Sequence, residues 1–300
     1  MGLRSFADRG HRVELFTYDF SEVDVPDWIV RRDAAEIWPA DKILTYKKDI
    51  GAGSFALHSN LFRYALLYQC GGWWTDLDVI LLSGSFPESE FFFTMENTDA
   101  KRATLSVLKF PPEHPAMKEA RDHCVKVGES PHYGETGADL FSEMVHKYRL
   151  ARHAHPMQLA YPISAIDVPR LFDPEEVDSI QRQCVDACFL HLFNETWRRA
   201  GIPNNLGPPA GSFVERMLVQ HQLPVLEPRM ELADLRRWTA YLTLHDEYQA
   251  GRRAFQLANE ALRKRVSELE GLLGRSGSLH LLSSSYLQRA FRRLARKLRW

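Results

Sequence analysis

Apolar residues recur along this chain with two periods, one of strands and one of helices. From His11 to Tyr18 the alternation around Val13, Leu15 and Phe16 predicts a strand. Gly2 to Asp8 reads as the end of a helix, and Asp33 to Trp38 as a short helix stopped by Pro39. Ser54 is placed to cap a helix running to about Gln69, which Gly71-Gly72 breaks. Trp73 to Leu82 contains a strand, a turn and a second apolar run, and Phe91 to Met95 reads as a further strand. Pro112 to Val127 and Gly137 to Tyr148 predict helices, the first with proline near its start. Gln158 to Ile163 and Ala187 to Phe193 are strand candidates, and the prolines and glycines of Pro203 to Gly211 predict a loop. Strands alternating with helices give an α/β class with a mostly parallel sheet and flanking helices.

The pattern changes near His245, dividing the chain into a domain of residues 1–244 and a helical extension of residues 245–300. Phe255, Ala258, Leu262, Val266, Leu269 and Leu273 fall at helical steps, over fewer heptads than a coiled coil needs. Gly274 to Ser278 breaks the run. Residues 279–300 then predict a helix with Arg289, Arg292, Arg293, Arg296, Lys297 and Arg299 around Leu287, Phe291, Leu294 and Leu298. Such a helix fits peripheral contact with an anionic membrane surface, and equally a helix packed on the domain with its arginines in water.

With 45% hydrophobic and 11% aromatic residues, the chain can bury a sizeable core. A formal net charge of −1 provides no general attraction for nucleic acid. Cys70, Cys124, Cys184 and Cys188 are too sparse for a disulfide framework. A cytoplasmic location is therefore expected, with residues 279–300 as the contact to the inner membrane surface. Cys184, Cys188 and His191 lack the paired spacing of a zinc site and read as core cysteines. No run of about eighteen apolar residues could cross a membrane, and Arg4, Asp8 and Arg9 lead us to expect no signal peptide.

Candidate chemistry concentrates in residues 59–78. On a helix through residues 57–68, Ser59, Asn60 and Arg63 share one edge, while Leu57, Leu61, Phe62, Tyr64, Ala65, Leu66 and Tyr68 cover the rest. A buried guanidinium on that edge can hold a carboxylate or a phosphate, or form a structural ion pair. Asp76 and Asp78 follow an apolar strand, two residues apart, so in extended chain their carboxylates point the same way. Two hard oxygens with sites left for water and phosphate suit Mg²⁺ or Mn²⁺. The C-terminal tip of a strand is where open α/β sheets bind ligands. Asp78 is expected to bind metal directly, and Asp76 to share the metal or contact a ribose.

These residues carry a resemblance. The run Ser-Asn-Leu-Phe-Arg-Tyr through Gly-Gly-Trp-Trp-Thr-Asp-Leu-Asp-Val, residues 59–79, resembles the DXD-containing sugar-binding region of glycosyltransferase family 32 and its bacterial capsular-polysaccharide relatives. Gly10-His11-Arg12-Val13, Asp33-Ala34, Thr136-Gly137, His191-Leu192-Phe193-Asn194 with Trp197, and Pro208-Pro209-Ala210-Gly211-Ser212-Phe213 resemble further family segments in order, over roughly residues 5–225. The resemblance implies a GT-A type, Rossmann-like fold and a Mn²⁺- or Mg²⁺-dependent hexosyltransferase. The donor would be a nucleotide sugar, a UDP-sugar foremost, the acceptor a glycan or lipid-linked glycan, and the outcome retention of configuration. It places Ser59, Asn60, Arg63, Gly72 and Asp76 at the donor, and Asp76, Asp78, His191 and Asn194 at the metal. No nucleophile is nominated, and the Pro208–Phe213 loop is an acceptor-side candidate.

The chain departs from the family pattern at Asn60, where the stricter pattern has aspartate, and at Ala138, where it has proline. Met1 falls just before the helix that follows the family's first strand, so that strand is expected to be missing. A misassigned start, a fragment or a degenerate copy would each account for it. Two rival readings follow. One is a non-catalytic scaffold derived from a transferase. The other is a haloacid-dehalogenase-type phosphohydrolase, whose Asp-x-Asp continues with Gly-Thr where this chain has Val79-Ile80.

Overall fold

The computed structural model describes residues 1–19, 25–48, 52–95, 102–199, 203, 205–238 and 240, with scattered residues from 244 to 268. The chain divides into two units, Met1–Thr239 and Ala240–Trp300. In the second unit the described residues are helical and exposed, and Arg265 pairs with Glu268 one turn on at 3.1 Å. The basic segment 279–300 lies outside the described residues.

The first unit is a mixed α/β structure. Helix α1 (Gly2–Ala7) leads to β1 (Val13–Thr17), which pairs in parallel with β2 (Ile29–Asp33). A single 3₁₀ turn, Ala34–Glu36, takes the place of the helix predicted up to Pro39, with the Asp33 carboxylate accepting from Ala35 N–H. Helix α2 (Ala56–Cys70) begins one residue later than predicted, with Phe55 and not Ser54 as its N-cap, and the Ser54 hydroxyl accepts from Ala56 N–H at 3.1 Å in the turn before it. Gly71 ends it at φ +64°. Strand β3 (Gly72–Thr75), a turn, and β4 (Val79–Leu81) follow as expected.

Strands β5 (Thr94–Met95), β6 (Val107–Phe110), β7 (His155–Pro156) and β8 (Phe189–His191) complete the ladders. β5 pairs in parallel with β7, while β6 runs antiparallel along β3 and β8 antiparallel along β4. Among the described residues these are four small ladders, two of them antiparallel, where one mostly parallel sheet was expected. A helix imposes a parallel neighbour only when the strands it joins pair with each other. Here α2 joins β2 to β3, and no ladder links those two. Gln158 to Ile163 forms a 3₁₀ turn and loop instead of a strand.

Helices α3 (Pro115–Val127) and α4 (Leu140–Lys147) pack with α2 around Leu61, Tyr64, Leu67, Phe93, Phe110, Met117 and Phe141. Ala116 and Ala120 on α3 are fully buried there, and their small side chains let the helices approach closely. Each large apolar side chain buried in this way contributes roughly 1.5–3 kcal/mol. β4 is buried on both faces. Val79 and Leu81 join Phe6, Val13, Phe92, Val107 and Phe189, while Ile80 faces Ile163, Val168, Leu171, Ile180, Leu190 and Met217. A two-residue period inside the core requires such a continuous apolar run. The remaining helices are α5 (Val177–Gln183), α6 (Asn194–Arg199) and α7 (Phe213–Gln220). The Pro208–Phe213 loop ends in a cap on α7, where the Ser212 hydroxyl accepts from Glu215 N–H and the Glu215 carboxylate accepts from Gly211 N–H.

Candidate functional site

Asp76 and Asp78 lie at the junction of β3 and β4, and β4 is pinned from behind. The Ser5 hydroxyl of α1 donates to Gly2 O at 2.6 Å and accepts from Leu81 N–H at 2.8 Å. A Cβ on Gly2 would stand 2.4 Å from Leu77 O and 2.7 Å from Val79 O, so α1 can meet this turn only through glycine. The segment is a turn, with Val79 N–H donating to Asp76 O at 3.3 Å, and not the extended chain predicted. Turning, instead of strand alternation, is what brings the two carboxylates together.

Arg63 approaches from α2. Its Nη2 donates to Asp76 Oδ1 at 2.7 Å and its Nη1 to Asn60 Oδ1 at 3.1 Å, and the guanidinium lies 4.9 Å from the Trp74 ring centre. Trp74 Nε1 donates to the same Asp76 oxygen at 2.8 Å. Both donors use Oδ1, and among the described residues none donates to Oδ2. Asn60 in turn donates to the Thr136 hydroxyl at 3.4 Å, from a π-type turn, Glu135–Asp139, in which Gly137 leaves helical geometry. Asn60, one of the departures from the family pattern, thus holds the guanidinium as a neutral acceptor.

Asp78 is held from the opposite side by β8 and α6. Leu192 N–H donates to Asp78 O at 2.9 Å and Asn194 N–H to Asp78 Oδ2 at 2.8 Å. His191 Nε2 stands 3.3 Å from Asp78 Oδ1. Burial works to raise the Asp78 carboxyl. The facing His191 and the Asn194 N–H outweigh it, so the group titrates below the ordinary carboxylate value. The side chains of Asp76, Asp78 and His191 remain 28%, 23% and 14% exposed, which leaves all three reachable.

One oxygen or nitrogen from each of Asp76, Asp78 and His191 lies within 4.8 Å of the others. Two carboxylate oxygens and an imidazole fit Mn²⁺ or Mg²⁺, the nitrogen favouring Mn²⁺. The free Asp76 oxygen and the loose 3.3 Å His191–Asp78 contact are both consistent with a cation drawing these atoms inward. Asn194 reaches this cluster through its backbone N–H. Ser59 is half-buried on α2, and its hydroxyl makes no hydrogen bond among the described residues. Gly72 opens β3 four residues before Asp76, about 13 Å of extended chain away, and is not among the residues brought together.

Residues 26–92 match the family model of the glycosyltransferase sugar-binding region containing a DXD motif. The matched region is less than a quarter of the chain, and it contains Asn60, Arg63, Asp76 and Asp78. It points to a glycosyltransferase. No curated protein and no solved structure matches the chain. His191, Asn194 and Thr136 lie beyond the matched region, yet the fold carries all three to it. Trp74 is a site residue that sequence reasoning missed. Two residues before Asp76 on a strand, it shares a face with that aspartate, and the two-residue period alone could have found it. Among the described residues, no helix is long and apolar enough to cross a membrane.

Proposed function

We propose that this chain is a divalent-cation-dependent hexosyltransferase of GT-A type. It would take a nucleoside-diphosphate sugar, foremost a UDP-sugar, and glycosylate a glycan or lipid-linked glycan with retention, as in capsule or other polysaccharide synthesis. The observation that carries this reading is the arrangement of Asp76, Asp78 and His191 within 4.8 Å of one another, with the Arg63 guanidinium 2.7 Å from Asp76.

Asp76 Oδ2, Asp78 and His191 would hold Mn²⁺ or Mg²⁺, which when bound neutralises charge on a departing diphosphate. The protein's share is preorganisation. Trp74 and Arg63 fix one oxygen of Asp76, which leaves the other oriented. The Asn194 N–H and the β4–β8 ladder fix Asp78. Arg63, paired with Asp76, would keep that aspartate fixed beside the point where negative charge grows as the anomeric carbon–oxygen bond breaks, and groups fixed in a low-dielectric site need no reorganisation at that moment. The acceptor oxygen bonds to the anomeric carbon on the face the diphosphate leaves, and the acceptor proton passes to that leaving group. No side chain of this chain is assigned as a nucleophile.

The test is hydrolysis of a nucleotide-sugar panel with Mn²⁺, comparing wild type with Asp78→Ala. The expected result is release of nucleoside diphosphate from one donor class, reduced about 100-fold or more in the variant. No turnover and no nucleotide binding by the wild type would favour the scaffold reading. Phosphate release from simple phosphomonoesters would favour the phosphohydrolase.

A further inference from the structure

Tyr161 belongs to no motif and packs beside His191. It is 8% exposed and faces Ser106, which is 4% exposed. Ser106 N–H donates to the Tyr161 hydroxyl at 3.2 Å, and the Ser106 and Tyr161 hydroxyls share a short hydrogen bond. Ser106 stands opposite Asp76, one step past the Thr75–Val107 pair of the β3–β6 ladder. Its carbonyl accepts from Asp76 N–H at 2.8 Å. The hydroxyl end of Tyr161 therefore fixes the residue on which the Asp76 backbone hangs.

The ring of Tyr161 meets the other half of the site. It packs edge-on against the His191 ring with centroids 5.4 Å apart, and against Phe193 at 5.8 Å. Among the described residues His191 Nδ1 has no hydrogen-bond partner, so none of them orients its ring from behind through that nitrogen. Ring packing by Tyr161 and Phe193 supplies that orientation instead. A histidine that ligates a metal is ordinarily oriented by a hydrogen bond from its second nitrogen. One buried phenol thus links β8, which it touches at His191, to the end of β3, which it reaches through Ser106.

We infer that Tyr161 is a positioning residue that sets the distance between Asp76 and His191, acting through Ser106 at its hydroxyl and through ring packing at its face. This inference rests on the cation-site reading above. Tyr161→Phe keeps the ring and its packing but frees Ser106 of both bonds, whereas Ser106→Ala removes the hydroxyl bond and leaves the Ser106 N–H on the phenol.

The test is calorimetric titration of the full chain with Mn²⁺ alone, for wild type, Tyr161→Phe, Ser106→Ala and the double variant. Tyr148→Phe, which loses a tyrosine hydroxyl bond to Glu119 at 2.8 Å outside the site, serves as the control. Tyr161→Phe is expected to weaken Mn²⁺ binding about tenfold, as loss of an outer-shell partner does, and Ser106→Ala to weaken it by less. The double variant should match Tyr161→Phe, because that substitution already removes both bonds to Ser106, and the control should match wild type. With the donor found for the wild type, kcat should fall in Tyr161→Phe and the donor KM at saturating Mn²⁺ should hold. Should Tyr161→Phe fail to fold, Ser106→Ala carries the same comparison. Wild-type Mn²⁺ affinity in both single variants, or equal weakening in Tyr148→Phe, overturns the inference alone. A wild type that binds no Mn²⁺ removes the cation site and the inference with it.

Discussion

The Arg63 guanidinium donates to Asp76 Oδ1 at 2.7 Å while only 5% of the arginine side chain remains exposed. Asp76 is therefore both a candidate ligand and the counter-charge of a buried cation. Asp78 has no such duty, since its partners are a backbone N–H and His191.

The two aspartates should separate when stability and activity are measured together. Asp76→Ala strands a buried guanidinium with Asn60 as its remaining polar partner. Because Asp76 is partly exposed, the cost is set below that of a fully buried pair, at about 2–4 kcal/mol. Asp78→Ala should cost less, about 1.5 kcal/mol, the low end for a hydrogen bond to a charged group. Both should abolish turnover. Urea unfolding checks the difference, and equal destabilisation would contradict the roles assigned.

Gly71 and Gly72 both have positive φ, +64° and +83°, yet they should respond differently to alanine. A Cβ at Gly71 would stand 2.5 Å from Pro112 N, whereas nothing lies within 4 Å of one at Gly72. Gly72→Ala should cost about 1 kcal/mol, the strain of a left-handed alanine. Gly71→Ala adds a backbone clash and should exceed it by a further 1–3 kcal/mol, about the cost of overpacking. Thermal unfolding of the two variants makes the comparison.

Stability should fall as pH drops below about 6.5. Burial lowers the titration of His58, His11 and His114 from the ordinary value of 6.5. For His58 the geometry agrees. The Tyr18 hydroxyl donates to Trp38 O, so His58 Nε2 serves as donor to Tyr18 and Nδ1 is buried without a partner. The unfolded chain then takes up protons that the folded chain refuses. Stability is full above pH 6.5, declines below it and levels once pH passes the folded values. Asp8 shifts in a second window. Burial opposes the shift, but the bonds from His221 and Arg4 hold its carboxyl below 3.8, so its contribution is present above 3.8 and lost at lower pH. Unfolding midpoints from pH 8 to pH 5 should decline in wild type and decline less in His58→Gln.

Much of this site was readable in the sequence because its parts are local. Arg63 and Asn60 lie one helical turn apart, and Asp76 and Asp78 flank one residue, so spacing alone groups them. The strands around them were harder to read. β6 is a four-residue run whose identity depends on pairing with β3, and Gln158 to Ile163 looked like a strand but contains Pro162, which interrupts a ladder. The turn at Asp76–Asp78 reads as extended chain in the sequence because period-two spacing and a tight turn both bring alternate side chains near each other. Tyr161 could not have been found. Its meaning lies in Ser106, 55 residues away, and in His191, and no local pattern marks either contact.

The central claim is that Asp76, Asp78 and His191 hold a cation against a nucleoside diphosphate beside Arg63. The most direct measurement is the electron paramagnetic resonance signal of free Mn²⁺, titrated with protein in the presence and absence of UDP. Free signal should fall on adding wild type, fall further with UDP, and stay in place with Asp78→Ala. A free Mn²⁺ signal unchanged by the wild type, or reduced equally by Asp78→Ala, would contradict it.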